Sequence, residues 1–588
     1  MKTKLLKLAL CAMAALPIGA WADIDFGTEK TVSQKTVWNF NSLTTGTEYN
    51  SVTEYQNGYL RNNNTDYTIT VNNAPAESTI TLSDGSEVSI ERVLTLKKSN
   101  FSGGVGTAAN TTGYMRSTFA FNAEVAGTVV VYMKSSQSAK NNLRIFHTSK
   151  VDNNSNLSAL KYISSNGNIQ ILAATSTEKG TFFIGDNGSV TDTETSVTTD
   201  NTCDIYAVEF YPSVTVGAKT LWTFGQYPDN TTLRNKERIE RVPYDGLFFH
   251  KNTNASHSIK ANSAFEVEIA AENFGGEALS SRMTPINFAG KHNTPVATFK
   301  AGDLDYSYDG MAFNASCAGT TYVAFRTPYA STDYTSRSFT IYFNGTAGSD
   351  DATQSYTNRG TYVVKYTSTE AGTFATYHST GAIEIIAVLF VPTTGSATDT
   401  KKVNISGAGV ATFSSARSYT IAGTGLKAYK VSEVTESKAT LTDIGNIIPA
   451  YTGVVLAGNE DTYTLTTTSE SATVSNNSLV ANVGEYILPA NDGNGNYNYT
   501  LAAGPTFKHS SGSGTLSAGK AFLRTTTNVT AGARGLDLVF DEGETTGISE
   551  IEKLRNVGNE KFFDLQGRLV AQPTRGLYIV NGKKVIIK

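Results

Sequence analysis

The sequence predicts an all-β protein with two tandem jelly-roll-like antiparallel β-sandwiches, a smaller β domain and a short C-terminal β tail. Three observations lead to this fold class. The composition is rich in Gly, Tyr and Phe but low in charge, long stretches of the chain repeat, and apolar residues alternate with polar ones between Gly/Asn/Ser turns. No segment carries an apolar stripe of helical period and helical length.

The composition limits the protein class. A length of 588 residues favours three to five domains, because single hydrophobic cores rarely grow past about 250–300 residues. Charged residues make up 17% of the chain, against about 25% in ordinary soluble domains. The formal net charge is -4, and no apolar run of helical, membrane-spanning length follows the leader. These features argue against a nucleic-acid-binding protein and against a transmembrane span in the mature chain.

The first 22 residues have the three regions of a secretory signal peptide: a lysine-bearing start, an apolar run and the small-residue end Ala20-Trp21-Ala22. A buried N-terminal helix is the alternative, but lysines at its start and an A-x-A end serve no core packing. We expect cleavage before Asp23 and a secreted or outer-cell-surface location. The mature chain then keeps only Cys203 and Cys317, which lie in different modules and are expected to be free thiols.

An internal repeat sets the architecture. AFNAEVAGTVVVYM at 120–133 returns as AFNASCAGTTYVAF at 312–325, and TSTEKGTF at 175–182 returns as TSTEAGTF at 367–374. The two mature tryptophans open the copies in VWNF and LWTF, and we assign them to the core. The first repeat therefore spans 36–213 and the second 219–393. The polar stretch VTDTETSVTTDN is predicted to be a surface insertion in the first copy.

Short alternating segments such as FEVEIAA and SFTIYFN predict half-buried strands within the repeats. After a polar linker at 394–400, residues 401–541 have a different texture and predict a separate small β module. A second linker leads to the tail at 548–588, which carries eight Lys or Arg residues against four acids. This basic charge is either functional or an ordinary solvated surface.

The tail FFDLQGRLVAQPTRGLYIVNGKKVIIK resembles the C-terminal sorting tails of cargo of the Gram-negative type IX (Por) secretion system. The resemblance rests on the FDLQGR stretch at 563–568 and on GLYI, NGKK and the final Lys588. It implies export by the type IX secretion machinery. From the residues alone, the tail is a pair of hairpins with turns at Gly567 and Asn581-Gly582, and a small capping β unit is the alternative.

The two repeats resemble β-sandwich modules appended to bacterial pectate lyases and other secreted polysaccharide-active proteins. The shared pattern is an opening W-x-F strand, an N-G or D-G-L segment, an A-G-T strand, then G-T-F and an A-V-x-F ending. This resemblance implies glycan binding beside a catalytic domain. The present chain departs from the pattern because it contains no recognisable catalytic domain.

No catalytic constellation stands out in the sequence, so we expect a protein that is not an enzyme and needs no cofactor. The six histidines lack metal-ligand spacing, and the G-x-S-x-G, phosphate-loop and dinucleotide-binding patterns are missing. Carboxylate pairs such as Glu266 with Glu268 or Asp303 with Asp305 share a strand face rather than facing each other across a sugar. NDGNGN at 491–496 is either a calcium loop or a hairpin turn, and DLDYSYD at 303–309 is a similar calcium candidate.

Glycan binding needs aromatic faces and planar polar groups on a rigid scaffold. The first repeat offers such residues in YQNGYLR and ERVLTLKK, and the second in RVPYDGLFF. We therefore predict a non-catalytic polysaccharide- or surface-glycan-binding protein, with a protein-binding adhesin or a structural stalk as the alternative. The candidate ligand-binding residues are Tyr55, Tyr59, Arg61, Arg92, Lys97, Lys98, Arg241, Tyr244 and Phe248.

Overall fold

The computed structural model describes residues 26–541 and, in the tail, 562–563, 569–570, 576–580 and 583–587. The predicted signal peptide and Lys98 lie outside the described residues. Within 26–541 the description excludes 34, 63–67, 76–78, 83–86, 98–99, 103–107, 109–113, 136–141, 152–156, 165–167, 177, 186–188, 192–197, 201, 235–239, 252–258, 289–293, 304–308, 329–336, 357–358, 380, 394–397, 436, 503–504 and 529–534.

The predicted all-β class is confirmed, since the described residues form strands and two short 3₁₀ turns. The chain divides into two compact units. One comprises residues 1–214 with 302–306, and the other comprises 215–301 with 307–588.

The first unit contains the first β-sandwich. Its strands are β1 (Thr31–Val32), β2 (Thr36–Asn39), β3 (Glu48–Tyr49), β4 (Thr53–Tyr55), β5 (Gly58–Arg61), β6 (Ile69–Asn73), β7 (Thr79–Thr81), β8 (Glu87–Ser89), β9 (Arg92–Lys97), β10 (Asn100–Ser102), β11 (Tyr114–Arg116), β12 (Thr118–Ala123), β13 (Gly127–Ser135), β14 (Asn142–Val151), β15 (Leu157–Ser164), β16 (Gln170–Ser176), β17 (Gly180–Gly185), β18 (Ser189–Thr191), β19 (Thr198–Asp200) and β20 (Thr202–Pro212).

Two main sheets form this sandwich. The front sheet has the order β15-β14-β17-β12-β5-β4, with β1 parallel to β12, and the back sheet has the order β16-β13-β20-β9-β6-β3, with β2 beside β20. In the predicted polar insertion, β18 and β19 pair as a two-stranded ribbon, while residues 192–197 lie outside the described part.

The second sandwich begins the second unit. Its strands are β21 (Thr215–Val216), β22 (Thr220–Thr223), β23 (Thr232–Arg234), β24 (Glu240–Tyr244), β25 (Leu247–Lys251), β26 (Ile259–Ala261), β27 (Phe265–Ile269), β28 (Leu279–Met283), β29 (Ile286–Phe288), β30 (Gly310–Ala315), β31 (Gly319–Thr327), β32 (Arg337–Phe343), β33 (Thr346–Ala347), β34 (Thr353–Tyr356), β35 (Gly360–Ser368), β36 (Gly372–His378) and β37 (Ile383–Pro392). The 3₁₀ turns are Ala271–Asn273 and Asp350–Ala352.

The second sandwich repeats the plan of the first. Its front sheet has the order β24-β25-β30-β36-β32-β33, with β21 parallel to β30 and β34 beside β32. Its back sheet has the order β23-β26-β29-β37-β31-β35, with β22 beside β37. The outer side of each back sheet is covered by a hairpin, β7–β8 in the first sandwich and β27–β28 in the second, with apolar residues packed between hairpin and sheet.

The same cluster of four aromatic rings holds each core together. Trp38, fully buried as expected, packs 4.7 Å from Phe121, which stacks on Phe182 at 5.1 Å and meets Phe210 edge-on at 5.4 Å. In the second sandwich the corresponding residues are Trp222, Phe313, Phe374 and Phe390, with ring separations of 5.1, 5.1 and 5.4 Å in the same order.

The third module follows the second sandwich. Its strands are β38 (Thr400–Ile405), β39 (Val410–Phe413), β40 (Tyr419–Thr420), β41 (Lys427–Val434), β42 (Lys438–Asp443), β43 (Ile447–Ile448), β44 (Val454–Ala457), β45 (Asp461–Thr467), β46 (Leu479–Asn482), β47 (Tyr486–Ile487), β48 (Tyr497–Ala502), β49 (Thr506–His509), β50 (Thr515–Leu516), β51 (Lys520–Thr525) and β52 (Leu536–Phe540). The larger sheets run β38-β45-β40-β43 and β39-β44-β41-β42-β52-β49-β48-β51-β46.

The linker prediction at 394–400 implies a separate module, but the structure joins the module to the second sandwich. Ala416, Val483, Leu488 and Phe522 of the module belong to the same buried apolar cluster as the core of the second sandwich. Backbone pairing also crosses the boundary, where Tyr244 forms a β-bridge with Gly484. The two parts therefore fold around one continuous core.

A buried ion network reinforces this junction. The Asp245 carboxylate of the second sandwich accepts hydrogen bonds from Lys401 Nζ at 3.0 Å, from the backbone N–H of Ala416 at 2.8 Å and from the Ser415 hydroxyl. Arg417 lies 3.4 Å away and also donates to Asp399, whose carboxylate accepts backbone N–H groups at 217–218. Burial raises the pKa of Asp245, but the positive charges of Lys401 and Arg417 outweigh it and hold that pKa well below its usual range.

The tail forms a small antiparallel sheet, which agrees with the predicted β tail. Its strands β53 (Phe562–Phe563), β54 (Leu569–Val570), β55 (Gly576–Val580) and β56 (Lys583–Ile587) have the order β54-β53-β55-β56. The predicted turn residues Gly567 and Asn581-Gly582 lie outside the described residues.

Cys203 and Cys317 are both free thiols. No helix in the described part of the chain has the length and apolar character needed to cross a membrane.

Candidate functional site

Tyr55 forms a buried hydrogen bond inside the first sandwich. Its hydroxyl donates to the backbone carbonyl of Asn39 at 2.6 Å and lies 2.9 Å from the Ser42 hydroxyl. Beside it, Trp38 Nε1 donates to the carbonyl of Gln56 at 2.7 Å. The Tyr55 side chain is buried, so its ring offers no surface for a sugar, and its predicted role in ligand stacking is not supported.

Tyr244 repeats this arrangement in the second sandwich. Its hydroxyl donates to the carbonyl of Thr223, and Trp222 Nε1 donates to the carbonyl of Asp245 at 3.1 Å. The side chain is fully buried, and that burial raises the pKa of the Tyr244 hydroxyl well above its usual value. Both tyrosines therefore connect the end of β2 or β22 to the turn that precedes β5 or β25.

Arg92 and Lys97 lie on β9 in the back sheet of the first sandwich, away from the front-sheet residues with which they were predicted to act. Arg92 Nη1 donates to the neighbouring carbonyl of Glu91 at 3.0 Å, and both side chains are half-buried. The structure therefore does not bring these two cations to the predicted aromatic residues.

Tyr59 and Arg61 do share a surface, the outer face of the first front sheet, which is the side turned away from the core. They alternate on β5 with the core residue Leu60. The Tyr59 hydroxyl accepts the backbone N–H of Lys30 at 2.7 Å, and the Arg61 guanidinium lies 5.4 Å from the ring centre of Phe183. Both side chains are buried, and burial lowers the pKa of Arg61 to about 10.

Arg241 and Phe248 occupy the matching outer face of the second front sheet. The Arg241 guanidinium lies 5.6 Å from the Phe248 ring centre, and Arg241 stands opposite His250 in the pairing of β24 with β25. His250 in turn meets Phe299 edge-on at 5.2 Å. Burial, and then the charge of Arg241, lowers the pKa of His250 to about 3, so the imidazole is neutral at ordinary pH.

Two corresponding asparagines, which the sequence analysis did not single out, each form hydrogen bonds from the outer face to the backbone of another segment. Asn122 Oδ1 accepts the backbone N–H of Ala108 at 2.8 Å in the first sandwich. Asn314 accepts the N–H of Ala301 at 3.1 Å and donates to its carbonyl at 3.0 Å in the second. The signal was present, because both asparagines stand in the repeated AFNA motif. Ala108 packs in the same buried cluster as Tyr59, Phe146 and Phe183, which contributes to the burial of Tyr59.

The other end of the second outer face, at β32 and β36, carries two further tyrosines. Tyr342 on β32 and Tyr377 on β36 are half-buried, with ring centres 5.7 Å apart and planes at 68°. Burial, and then the neighbouring Tyr377, raises the pKa of Tyr342. The SFTIYFN pattern held the signal for Tyr342, since this residue falls on the polar side of an alternating strand whose Phe339 and Ile341 point to the core.

The floor beside this tyrosine pair is small and polar. Tyr342 stands opposite Ala375 across the β32–β36 pairing, and Tyr377 stands opposite Thr340. Thr340 meets the Thr353 hydroxyl of β34 at 3.0 Å. Ala375 and Thr340 are themselves buried, so the exposed part of this surface is formed by the two tyrosine side chains.

The first outer face ends in a related but different way. Arg144 on β14 stands opposite Tyr162 on the edge strand β15. Tyr162 is 62% exposed, the largest exposure among the large hydrophobic residues that the structure describes. Its ring is therefore accessible, and Arg144 is half-buried beside it.

Of the two calcium candidates, the structure describes the NDGNGN segment as a hairpin turn. In the NDGNGN turn, Asp492 accepts the backbone N–H groups of Asn494 and Asn496 at 2.8 and 3.1 Å and the side-chain amide of Asn496 at 2.7 Å, so its oxygens stabilise a hairpin turn. Hydrogen bonds from Asn496 and Asn494 lower the pKa of Asp492. Residues 304–308 of the other candidate lie outside the described part. Among the described residues, no group of three or more His, Cys, Asp or Glu side chains could hold a metal ion.

No protein-family model matches this sequence, and no curated protein matches it. Among solved structures, the tandem CBM22-1–CBM22-2 domain of Paenibacillus barcinonensis Xyn10C is 9% identical over 62% of this chain and 100% of its own, with a TM-score of 0.22. The M60 catalytic domain with CBM51-1 and CBM51-2 of Clostridium perfringens ZmpB is 12% identical over 61% of this chain and 39% of its own, with a TM-score of 0.16. TM-scores this low establish neither a common fold nor a common function.

Proposed function

We propose that this protein is an exported, non-catalytic glycan-binding protein, and that the outer face of the second front sheet holds the principal binding surface. The observation that carries the proposal is the half-exposed pair Tyr342 and Tyr377 on a rigid sheet. Sugar rings have apolar CH faces that pack on aromatic rings, while their hydroxyl groups need polar partners at the margin.

The geometry of the pair suits a chain of sugars. Because the two ring planes are inclined at 68°, one tyrosine can present its face to a sugar while the other contacts the same or the next sugar with its edge. Ala375 and Thr340, which stand opposite the two tyrosines across the strand pairing, are buried, so the tyrosine side chains themselves supply the contact surface and its hydroxyl groups. Strands β32 and β36 fix these positions without a mobile loop.

Export and localisation belong to the same proposal. Its supports are the lysine-bearing leader that ends in Ala20-Trp21-Ala22 and the tail whose motifs resemble type IX sorting tails. Deleting residues 548–588 should leave the protein inside the cell envelope of a bacterium with that secretion system. Unchanged release or surface display of the truncated chain would remove the tail from the proposal.

Affinity gel electrophoresis in gels that contain plant, microbial or host polysaccharides tests the binding proposal. One class of polymer should retard the wild-type chain, and Tyr342→Ala and Tyr377→Ala should each weaken binding about tenfold or more, as expected for a central aromatic contact. Tyr463→Ala is the matched control, since Tyr463 is half-buried in the third module. Equal retardation of all variants, or no retardation by any polymer, would contradict the proposal and favour a protein-binding adhesin or a stalk.

A further inference from the structure

The two sandwiches end their back sheets in corresponding edge strands, β16 in the first and β35 in the second. Each pairs on one side only within the described residues, β16 with β13 and β35 with β31. The registers correspond, because Ser176 stands opposite Gly127 and Ser368 opposite Gly319 at the same point of the repeat. Ala173 of β16 therefore takes the place of Lys365 in β35.

The edge of the second sandwich carries a charged residue that opposes pairing with another chain. Lys365 is exposed on β35 and forms an ion pair with Asp351 at 3.0 Å. A lysine on an edge strand resists edge-to-edge association, because a second strand would have to desolvate its charge. Natural β-proteins protect their edges in this way.

The corresponding edge of the first sandwich lacks that protection. From Asn168 to Ser176 the sequence NIQILAATS contains no charged residue. Ile169 and Ile171 are 43% and 45% exposed. Because they are two positions apart, they lie on the same face of the strand, and both are β-branched residues that favour strands. The backbone of β16 therefore presents an apolar and uncharged edge.

We propose that β16 is a self-association edge at which two copies of this chain pair antiparallel about a two-fold axis. The partner that we propose for this strand is the same strand of a second copy. Because β16 carries no charge, two copies can lie opposite each other without bringing like charges together. The same pairing of β35 would bring two copies of Lys365 together. Pairing through β16 would cover Ile169 and Ile171 and extend the back sheet of each copy across the two-fold axis.

A strand of this length covers little area, so the association should be weak. The segment Gln170–Ser176 has seven residues, too few to bury the roughly 1,200 Å² of a standard stable interface. Dimerisation is therefore expected to depend on protein concentration, and this inference does not rest on the proposed glycan binding.

Sedimentation velocity of the full-length mature chain, from about 1 to 200 µM, tests the proposal. The wild type should shift from monomer to dimer over this range. Ile171→Lys should remain monomeric, and Thr361→Lys, at the position of β35 that corresponds to Ile169, is the control that should dimerise like the wild type. Lys365→Ile should add association through the second edge.

Thermal melting of Ile171→Lys establishes whether the variant is folded, and Ile169→Lys provides a second disruption of the same edge if it is not. A wild type that stays monomeric at the highest concentration overturns the proposal, as does a folded Ile171→Lys variant that dimerises normally.

Discussion

Replacing Asp245 by Asn should destabilise the second sandwich and the third module together by about 3 kcal/mol. Both Asp245 and Arg417 are almost fully buried, at 3% and 4% exposure of their side chains, and loss of one member of a buried ion pair costs about 3–5 kcal/mol. The lower end applies because Asn keeps an oxygen to accept from the Ala416 N–H and the Ser415 hydroxyl, and because Arg417 keeps Asp399.

Gln56 supplies a matched control for this substitution. It occupies the same turn of the first sandwich, with φ of 48° against 44° for Asp245, and its carbonyl accepts the same tryptophan hydrogen bond. Its side chain is exposed and faces no ion network that the structure describes, so Gln56→Asn should change stability by no more than about 0.5 kcal/mol. Asn also tolerates a positive φ, so backbone strain does not confuse the comparison.

Urea unfolding followed by tryptophan fluorescence measures the effect. Asp245→Asn is measured in a Trp38→Phe background, where Trp222 is the sole mature tryptophan and reports on the second sandwich. Gln56→Asn is measured in a Trp222→Phe background, where Trp38 reports on the first sandwich. A shift smaller than about 1 kcal/mol for Asp245→Asn, or an equal loss for Gln56→Asn, would refute the argument from buried charge. Neither mature tryptophan lies in the third module, so a Tyr463→Trp variant reports its unfolding, and a transition separate from that of Trp222 would refute the shared core.

Four further outcomes follow. Tyr55→Phe and Tyr244→Phe should each cost about 1–2 kcal/mol by urea unfolding, because a buried carbonyl loses its donor, while gel retardation by polysaccharide stays unchanged. Gly127→Ala should lower the free energy of unfolding by about 1–3 kcal/mol, because its new Cβ would lie 2.4 Å from the Phe210 ring. Gly225→Ala is the control and should be nearly neutral, because no atom lies within 4 Å of its new Cβ. Burial lowers the pKa of His147 to about 3, below its unfolded value near 6.5, so stability should fall as pH drops from 6.5 towards 3, by at most about 1.4 kcal/mol per pH unit. His147→Gln should flatten that dependence in urea titrations at several pH values. The folded pKa of Asp245 is lowered, so the Asp245 contribution should be present above about pH 4 and lost below it, and Asp245→Asn should remove that acid-side loss.

The sequence was sufficient for the fold class and for the assignment of the two tryptophans to the cores, and it held the signal for the rings around them. Phe121, Phe182 and Phe210 stand in motifs that recur in the second copy, and alternation places them on one side of their strands. Repetition and period depend only on local sequence, so they can be recognised without knowing which strands pair. Trp38 and Trp222 could be assigned to the core for the same reason.

The candidate site was harder to predict, because alternation shows which residues share a face but not what covers that face. Tyr59 and Phe248 do lie on outer faces, yet both are buried, and Ala108, held by Asn122, packs in the same cluster as Tyr59. Tyr55 looks like a ligand contact until Asn39, brought close by folding, supplies its acceptor.

The docking of the third module depends on contacts still farther apart in the chain. Asp245 is separated from Lys401 by 156 residues, a pairing that no local pattern indicates. Composition shows only that the intervening linker is polar, not that the modules on either side pack together.

The shared core of the second sandwich and third module has a mechanical consequence. If a surface-attached chain is pulled at its two ends, independent modules release their length in separate steps. Residues 215–541 are joined by a common apolar cluster and the Asp245 ion network, so they should yield together. A single extension of about 1,100 Å, at about 3.4 Å per residue, is then the expected force signature of this block.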